Sequence, residues 1–189
     1  MAKIRTRARL RAVVIGSAVV LHERAGVNER LPQAGRDPNA DLEVDVAVKP
    51  VPEGYRTVTP YLIVQDANAL LTFVRDVFKA TVVEEHRTPD GSVVHADFTI
   101  GDSHVMAGQG SDRWPAQPGT VLLYVEDADA IYRAALAAGG VSIQEMTTQF
   151  YGDRSGGVRD PSGVTWWIST HVEDVSREEL ERRMAAARK

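Results

Sequence analysis

The chain has 189 residues, no cysteine and a net charge of −4 at pH 7. That length suits one domain with room for a tail. The missing thiols exclude disulfides, thiolate metal sites, iron–sulfur clusters and a cysteine nucleophile. The acidic balance offers no global attraction to nucleic acid, so no nucleic-acid partner is expected.

Lys3, Arg5, Arg7, Arg9 and Arg11 make the N-terminus basic, and the apolar run AVVIGSAVVL follows at 12–21. This run is too short to cross a bilayer, so no membrane partner is expected. A basic stretch ahead of a short apolar core has the outline of a signal peptide. The HERAGVNER that follows offers no good small-residue cleavage site, and the segment reads as a leader in a cytoplasmic protein. Residues 28–49 are rich in proline, glycine and charge without steady periodicity, as a linker is. Residues 1–50 are therefore expected to be a disordered leader and linker.

From there the chain repeats itself at an offset of sixty-one positions. VQDANALLTFVRDVFKATVVEE at 64–85 aligns with VEDADAIYRAALAAGGVSIQE at 125–145. Leu70, Phe73, Val74 and Val77 meet Ile131, Ala134, Ala135 and Ala138, and both quartets have the spacing of a helix with one buried face. Asp66 and Asp127 stand where N-caps belong. Each helix follows a strand, TVTPYLIV at 57–64 and TVLLYVE at 120–126. After the first helix come TVVEEHR, the turn TPDG, SVVHADFTI and SHVMAGQ. After the second come VSIQEMTTQ, a looser stretch around GDRSGGVR read as a loop entering the penultimate strand, the tight turn DPSG, and VTWWIST. Each copy is strand–helix–strand–strand–strand. The predicted fold is α+β: two βαβββ modules over residues 51–172, with mixed sheets enclosing a cleft. The tail at 173–189 predicts a short C-terminal helix, with a capping box from Ser176 to Glu179 and ion pairs Glu178–Arg182 and Glu179–Arg183.

GDRSGGVRD is not a phosphate loop, because it lacks the closing G-K-[ST] and no helix follows. The motifs TPYLIV, DGSVVHADFTIGDSHVM, LLYVEDADAIYRAALAAGG and FYGDRSGGVRDPSGVTWW, in this order across both modules, resemble the vicinal-oxygen-chelate superfamily: glyoxalase I, extradiol dioxygenases and bleomycin-resistance proteins, in a PhnB-type branch. Two departures from the family pattern are Val164, where a histidine is usual after the last turn glycine, and Lys79, where a small residue closes the first helix.

The resemblance implies metal-ligand positions on four strands, which align with Thr59, Ala107, Thr120 and Trp167. None offers an imidazole or carboxylate, so no metal and no cofactor is expected. The Ala107 placement turns His104 and Met106 toward the helix. In SVVHADFTI, strand alternation puts Val94, Ala96, Phe98 and Ile100 on the apolar face and His95, Asp97 and Thr99 on the other. His95 and Asp97 are the candidate catalytic pair, as base and orienter; as a polar pair they would instead join two sheets or subunits. Tyr61, Leu122, Tyr124, Thr165 and Trp167 fall on the cleft side, with Trp166 and Ile168 in the core. Tyr61, His95, Asp97, Tyr124, Asp153, Arg154 and Trp167 are the candidate ligand-binding residues; Asp153 and Arg154 could alternatively be structural links. The expected function is metal-free binding of a small molecule, sequestering a drug or metabolite in a homodimer. The alternative is a glyoxalase-like lyase or isomerase, or another enzyme of the superfamily it resembles.

Overall fold

Asp66 and Asp127 begin the two helices as the repeat requires. Each carboxylate accepts the backbone N–H three residues on, Ala69 and Ala130, at 2.9 Å. The computed structural model describes residues 48–187, together with two short strands nearer the N-terminus, β1 (Val13–Ile15) and β2 (Ala18–Val20), which pair antiparallel. The chain divides into compact units at 1–47 and 48–189. The expectation for the rest of the leader lies outside the described residues.

In the second unit, β3 (Tyr61–Val64), α1 (Ala67–Phe78), β4 (Thr81–Arg87), β5 (Val93–Ile100) and β6 (Ser103–Gln109) form the first module. Its sheet order is β3-β6-β5-β4. The second module has β7 (Thr120–Tyr124), α2 (Ala128–Ala137), β8 (Val141–Thr148), β9 (Asp153–Arg159) and β10 (Thr165–His171), in the order β7-β10-β9-β8. In each sheet the first strand runs parallel to the last and the other pairs are antiparallel, so both sheets are mixed. The helix α3 (Arg177–Ala187) closes the chain.

Leu70, Phe73, Val74 and Val77 are all buried, and Ala135 is buried in α2. Lys79 ends α1 in the left-handed region (φ 56°), stabilised by the bond from Ala80 N–H to the Val74 carbonyl and by its own ammonium on the Asp76 carbonyl. The helix-bearing sheet faces supply Leu62, Val64, Ala96, Phe98, Val105 and Ala107 from one module, and Val158, Val164, Trp166 and Ile168 from the other. These faces meet in one core: α1 touches α2, and the Phe78 ring lies 4.8 Å from the Trp166 ring. Among the described residues no helix packs on the opposite face of either sheet.

Three local readings need correction. DRSGGVR is not a loop but the strand β9, paired on both sides, and Gly152 alone stays in the turn ahead of it. Its glycines permit close packing rather than a turn. A Cβ at Gly156 would lie 2.5 Å from Met146 Sδ, and one at Gly157 would lie 2.7 Å from Ile143. Val94 is not on the apolar face. Register shifts make it an extra residue opposite the His86–Arg87 step, so Val93 takes the core position and Val94 is exposed. In α3, Arg182 pairs with Glu179 instead of Glu178. Arg183 bonds Glu179 at 2.6 Å and reaches Glu173 and the Phe150 carbonyl, tying α3 to the domain.

Candidate functional site

Strand alternation decides what each helix-free face presents. On the first sheet, Tyr61 pairs in register with Met106, Met106 with Asp97, and His95 with Gly108. His104 and Met106 therefore lie on the helix-free face, while Ala107 is buried in the core. This reverses the expected orientation of β6, because its register with β5 sets Met106 beside Asp97 and Ala107 beside Ala96.

The first face carries two polar groupings. Tyr61 Oη lies 3.0 Å from His95 Nδ1, and the His95 ring stacks between Tyr61 and His86 at centroid distances of 5.7 and 5.9 Å. Asp97 belongs to a different set. Its Oδ1 bonds His104 Nδ1 at 3.0 Å and its Oδ2 accepts the Tyr55 hydroxyl. His95 is not its partner. Asp97 is 1% exposed because the turn at 52–55 lies over it, and the Tyr55 ring stacks on His104 at 4.2 Å. The bond to Asp97, then burial, pushes the Tyr55 phenol up to about 12. Both oxygens of the Asp97 carboxylate are thereby engaged, one by His104 Nδ1 and one by the Tyr55 hydroxyl.

The second face repeats the motif with other residues. Asp153, 5% exposed, accepts from Tyr124 Oη and from His171 Nδ1, both at 2.8 Å. His171 Nε2 is engaged by Asp174 at 3.0 Å. Both carboxylates hold the imidazolium, so the His171 pKa rises above its ordinary value, and the bond to Asp153 raises that of Tyr124. Around this unit lie Leu122, 52% exposed, Tyr124, 63% exposed, and Trp167, packed beside Gly157. Arg154 is on the other side of β9, where it grips Asp129 of α2 with two 2.6 Å bonds. It neither pairs with Asp153 nor shares its face.

A third feature is a cavity of about 800 Å³ between the modules. Phe78, Val105, Val121, Leu123 and Ile131 line it, and so do Arg56, His104 and Tyr124. Of the seven binding candidates only Tyr124 lines it. Tyr61, His95 and Asp97 share one helix-free face, and Tyr124, Asp153 and Trp167 share the other. Sequence reasoning missed Tyr55, His104 and His171. Tyr55 precedes the first strand, the Ala107 placement gives His104 the opposite strand parity, and His171 lies just past the last predicted strand.

With β6 in its observed register, the four positions that could hold a metal become Thr59, Met106, Thr120 and Trp167. Two lone hydroxyls, a thioether and an indole do not fit a divalent ion. Among the described residues no three His, Asp or Glu side chains converge as a ligand set.

The profile of the Glyoxalase/Bleomycin resistance protein/Dioxygenase superfamily matches residues 56–168. An uncharacterized protein of Mycobacterium bovis is 31% identical over 140 residues, 68% of this chain and 92% of the relative. Among solved structures, TioX from Micromonospora sp. ML1 superposes with a TM-score of 0.54 at 22% identity, covering 61% of this chain and 98% of TioX. A PhnB protein from Bacillus cereus gives a TM-score of 0.49 at 20% identity, over 61% of this chain and 99% of its own. The paired modules and the matched sequence place this chain in the glyoxalase/bleomycin resistance protein/dioxygenase superfamily.

Proposed function

We propose that the protein is a metal-independent small-molecule binder of the bleomycin-resistance type, acting as a cytoplasmic homodimer that sequesters a flat, largely apolar drug or metabolite. The observation that carries this reading is the uncovered aromatic face of the second sheet. Leu122 and Tyr124 are more than half exposed beside Trp167, with Asp153 and Ser155 buried at their bases. Apolar side chains in such a cluster are costly to leave in water, and an aromatic ligand or partner surface relieves that cost. The helix-bearing faces already meet inside the chain, so cover for the open faces comes from a second copy, whose Tyr61–His95 face closes the ligand in. β7 is a sheet edge and offers unpaired backbone groups to the same partner. The donor set at Thr59, Met106, Thr120 and Trp167 favours binding over metal-dependent isomerisation. A cysteine-free chain needs no oxidising compartment, and among the described residues no helix is long and apolar enough to cross a membrane.

The test combines sedimentation equilibrium with a thermal-shift screen of flat aromatic compounds. A dimer whose melting point rises with a hit, and a Trp167→Ala variant that binds that hit more weakly by over about 1 kcal/mol, support the reading. A monomer at micromolar concentration, or a Trp167→Ala variant with unchanged affinity, refutes it.

A further inference from the structure

Thr165, Trp167, Ser169 and His171 alternate along β10 on the open face of the second sheet, and cross-strand pairing sets the side chains beside them in rows. The first row is Val141, Arg159, Thr165 and Thr120. The second is Gly157, Trp167 and Leu122. Ile143 folds over the glycine of that row: a Cβ on Gly157 would lie 2.7 Å from Ile143 and 3.2 Å from Trp167. The third row is Thr147, Ser155, Ser169 and Tyr124, where Ser169 donates to Ser155 at 2.8 Å. The fourth is Asp153 and His171. β9 pairs with β10 without a break from Asp153 to Arg159, so Arg159 shares the face of Gly157 and Asp153.

Charge runs one way along these rows. Arg159 is exposed and forms no hydrogen bond or ion pair with the described residues. Asp160, next in the chain, does not neutralise it, because that carboxylate faces the core and both its oxygens are taken by the DPSG turn and the Trp166 indole. At the far row the carboxylates of Asp153 and Asp174 outnumber the single imidazole of His171 between them. An anion is repelled from that end and drawn to Arg159. Between the two ends Trp167, Leu122 and Ile143 offer apolar surface, and Leu122 and Ile143 are 52% and 44% exposed. Arg159 and Trp167 are diagonal neighbours on adjacent strands, a separation that long and aromatic side chains span.

We propose that the ligand of this face is a flat aromatic carboxylate, with its ring on Trp167 and its carboxylate held by the Arg159 guanidinium. This rests on the open-face reading above and adds to it the charge of the ligand and the residue that selects it. The guanidinium fork matches a carboxylate through two parallel N–H···O bonds. Thr165 and Thr120, in the same row, bring hydroxyls that donate to the same anion. A neutral amide of the same shape covers Trp167 equally well but leaves the guanidinium without a counter-charge, so Arg159 determines specificity and Trp167 supplies affinity for the ring.

Isothermal titration with 2-naphthoate and with 2-naphthamide, its uncharged isostere, tests this at neutral pH. The wild type should bind the carboxylate about tenfold more tightly than the amide, the scale of one charge-assisted bond. Raising the salt from about 0.01 to about 1 M shortens the screening length from about 30 to about 3 Å and should narrow that ratio. Arg159→Gln should erase the ratio by weakening the carboxylate alone, and Arg159→Lys, a charge without the fork, should restore part of it. Arg133→Gln removes the same charge from α2, on the other side of the sheet, and should leave the ratio unchanged. Trp167→Ala should weaken both probes alike. If Arg159→Gln does not fold, the wild-type ratio and its salt dependence decide. Equal wild-type affinity for the two probes, or a ratio that survives Arg159→Gln, overturns the proposal and leaves the flat-ligand reading standing. An Arg159→Gln chain that sediments as a monomer also overturns it, by assigning the arginine to the partner chain. Binding of neither probe overturns it as well, and the screen of uncharged compounds then decides the flat-ligand reading separately.

Discussion

Replacing Asp160 by alanine should destabilise the domain by about 4 kcal/mol, the sum of buried groups left unpaired. Asp160 opens the DPSG turn and is 4% exposed. Its Oδ1 accepts the Ser162 N–H at 2.8 Å, the Ser162 hydroxyl at 2.7 Å and the Val164 N–H at 3.0 Å. Its Oδ2 accepts the indole N–H of Trp166 at 2.7 Å, in the centre of the core. Alanine leaves that indole donor dry and unpaired, at a cost of about 1–3 kcal/mol. Loss of the turn bonds adds about 1–2 kcal/mol more; the Gly163 N–H to Asp160 carbonyl bond (3.0 Å) survives, because it uses backbone only. For a domain of this size the melting point should fall by roughly 8–16 °C. Urea denaturation of wild type, Asp160→Ala and Asp160→Asn measures the loss directly. Asparagine keeps an acceptor for the turn but faces the indole with a second donor, so it should lose most of the Trp166 part. A cycle with Trp166→Phe isolates that bond as a coupling energy. A loss below about 1 kcal/mol for Asp160→Ala at unchanged m-value would refute the reasoning, since the buried donors would then have found other acceptors.

Three further outcomes are expected. Deleting residues 1–47 should leave a cooperative melting transition, because the compact unit begins at Val48; loss of cooperativity would give the leader a part in the core. Elemental analysis of protein purified without a histidine tag should find less than one equivalent of zinc, nickel, iron or manganese, and a full equivalent would restore the enzyme reading. His171, with its raised pKa, stabilises the fold through its protonated form. That contribution is complete below the unfolded-state value of about 6.5 and is lost as pH rises through the higher folded value. The melting-point gap between wild type and His171→Gln should therefore narrow as the pH rises above about 6.5; a constant or widening gap would contradict the ion-pair account.

Elements that rest on local signals were legible in the sequence. The N-caps at Asp66 and Asp127, the two buried helical quartets and the DPSG turn depend on side chains three or four residues apart, so the repeat and the paired modules could be read directly. The orientation of Trp166 and Trp167 followed from alternation inside one unbroken strand. Where a strand gains a residue, alternation fails. The irregular pairing at Val94 moved Val93 into the core, and the register of β6 put Met106 and His104 on the open face in place of Ala107. A shift of one residue reverses every side chain beyond it, and only cross-strand hydrogen bonds record the shift. The candidate site depended still more on distant contacts. His95 and Asp97 are two residues apart on one face, yet they take different partners, Tyr61 and the Tyr55–His104 pair, because those side chains arrive from other elements. Arg154 and Asp153 are neighbours in sequence but lie on opposite sides of β9, bound to Asp129 and to Tyr124 with His171. Sequence supplied the residue types and the face of each within its own strand. Which acid meets which base is decided by the packing of strands and turns far apart in the chain, since a hydrogen bond depends on separation in space and not on separation along the backbone.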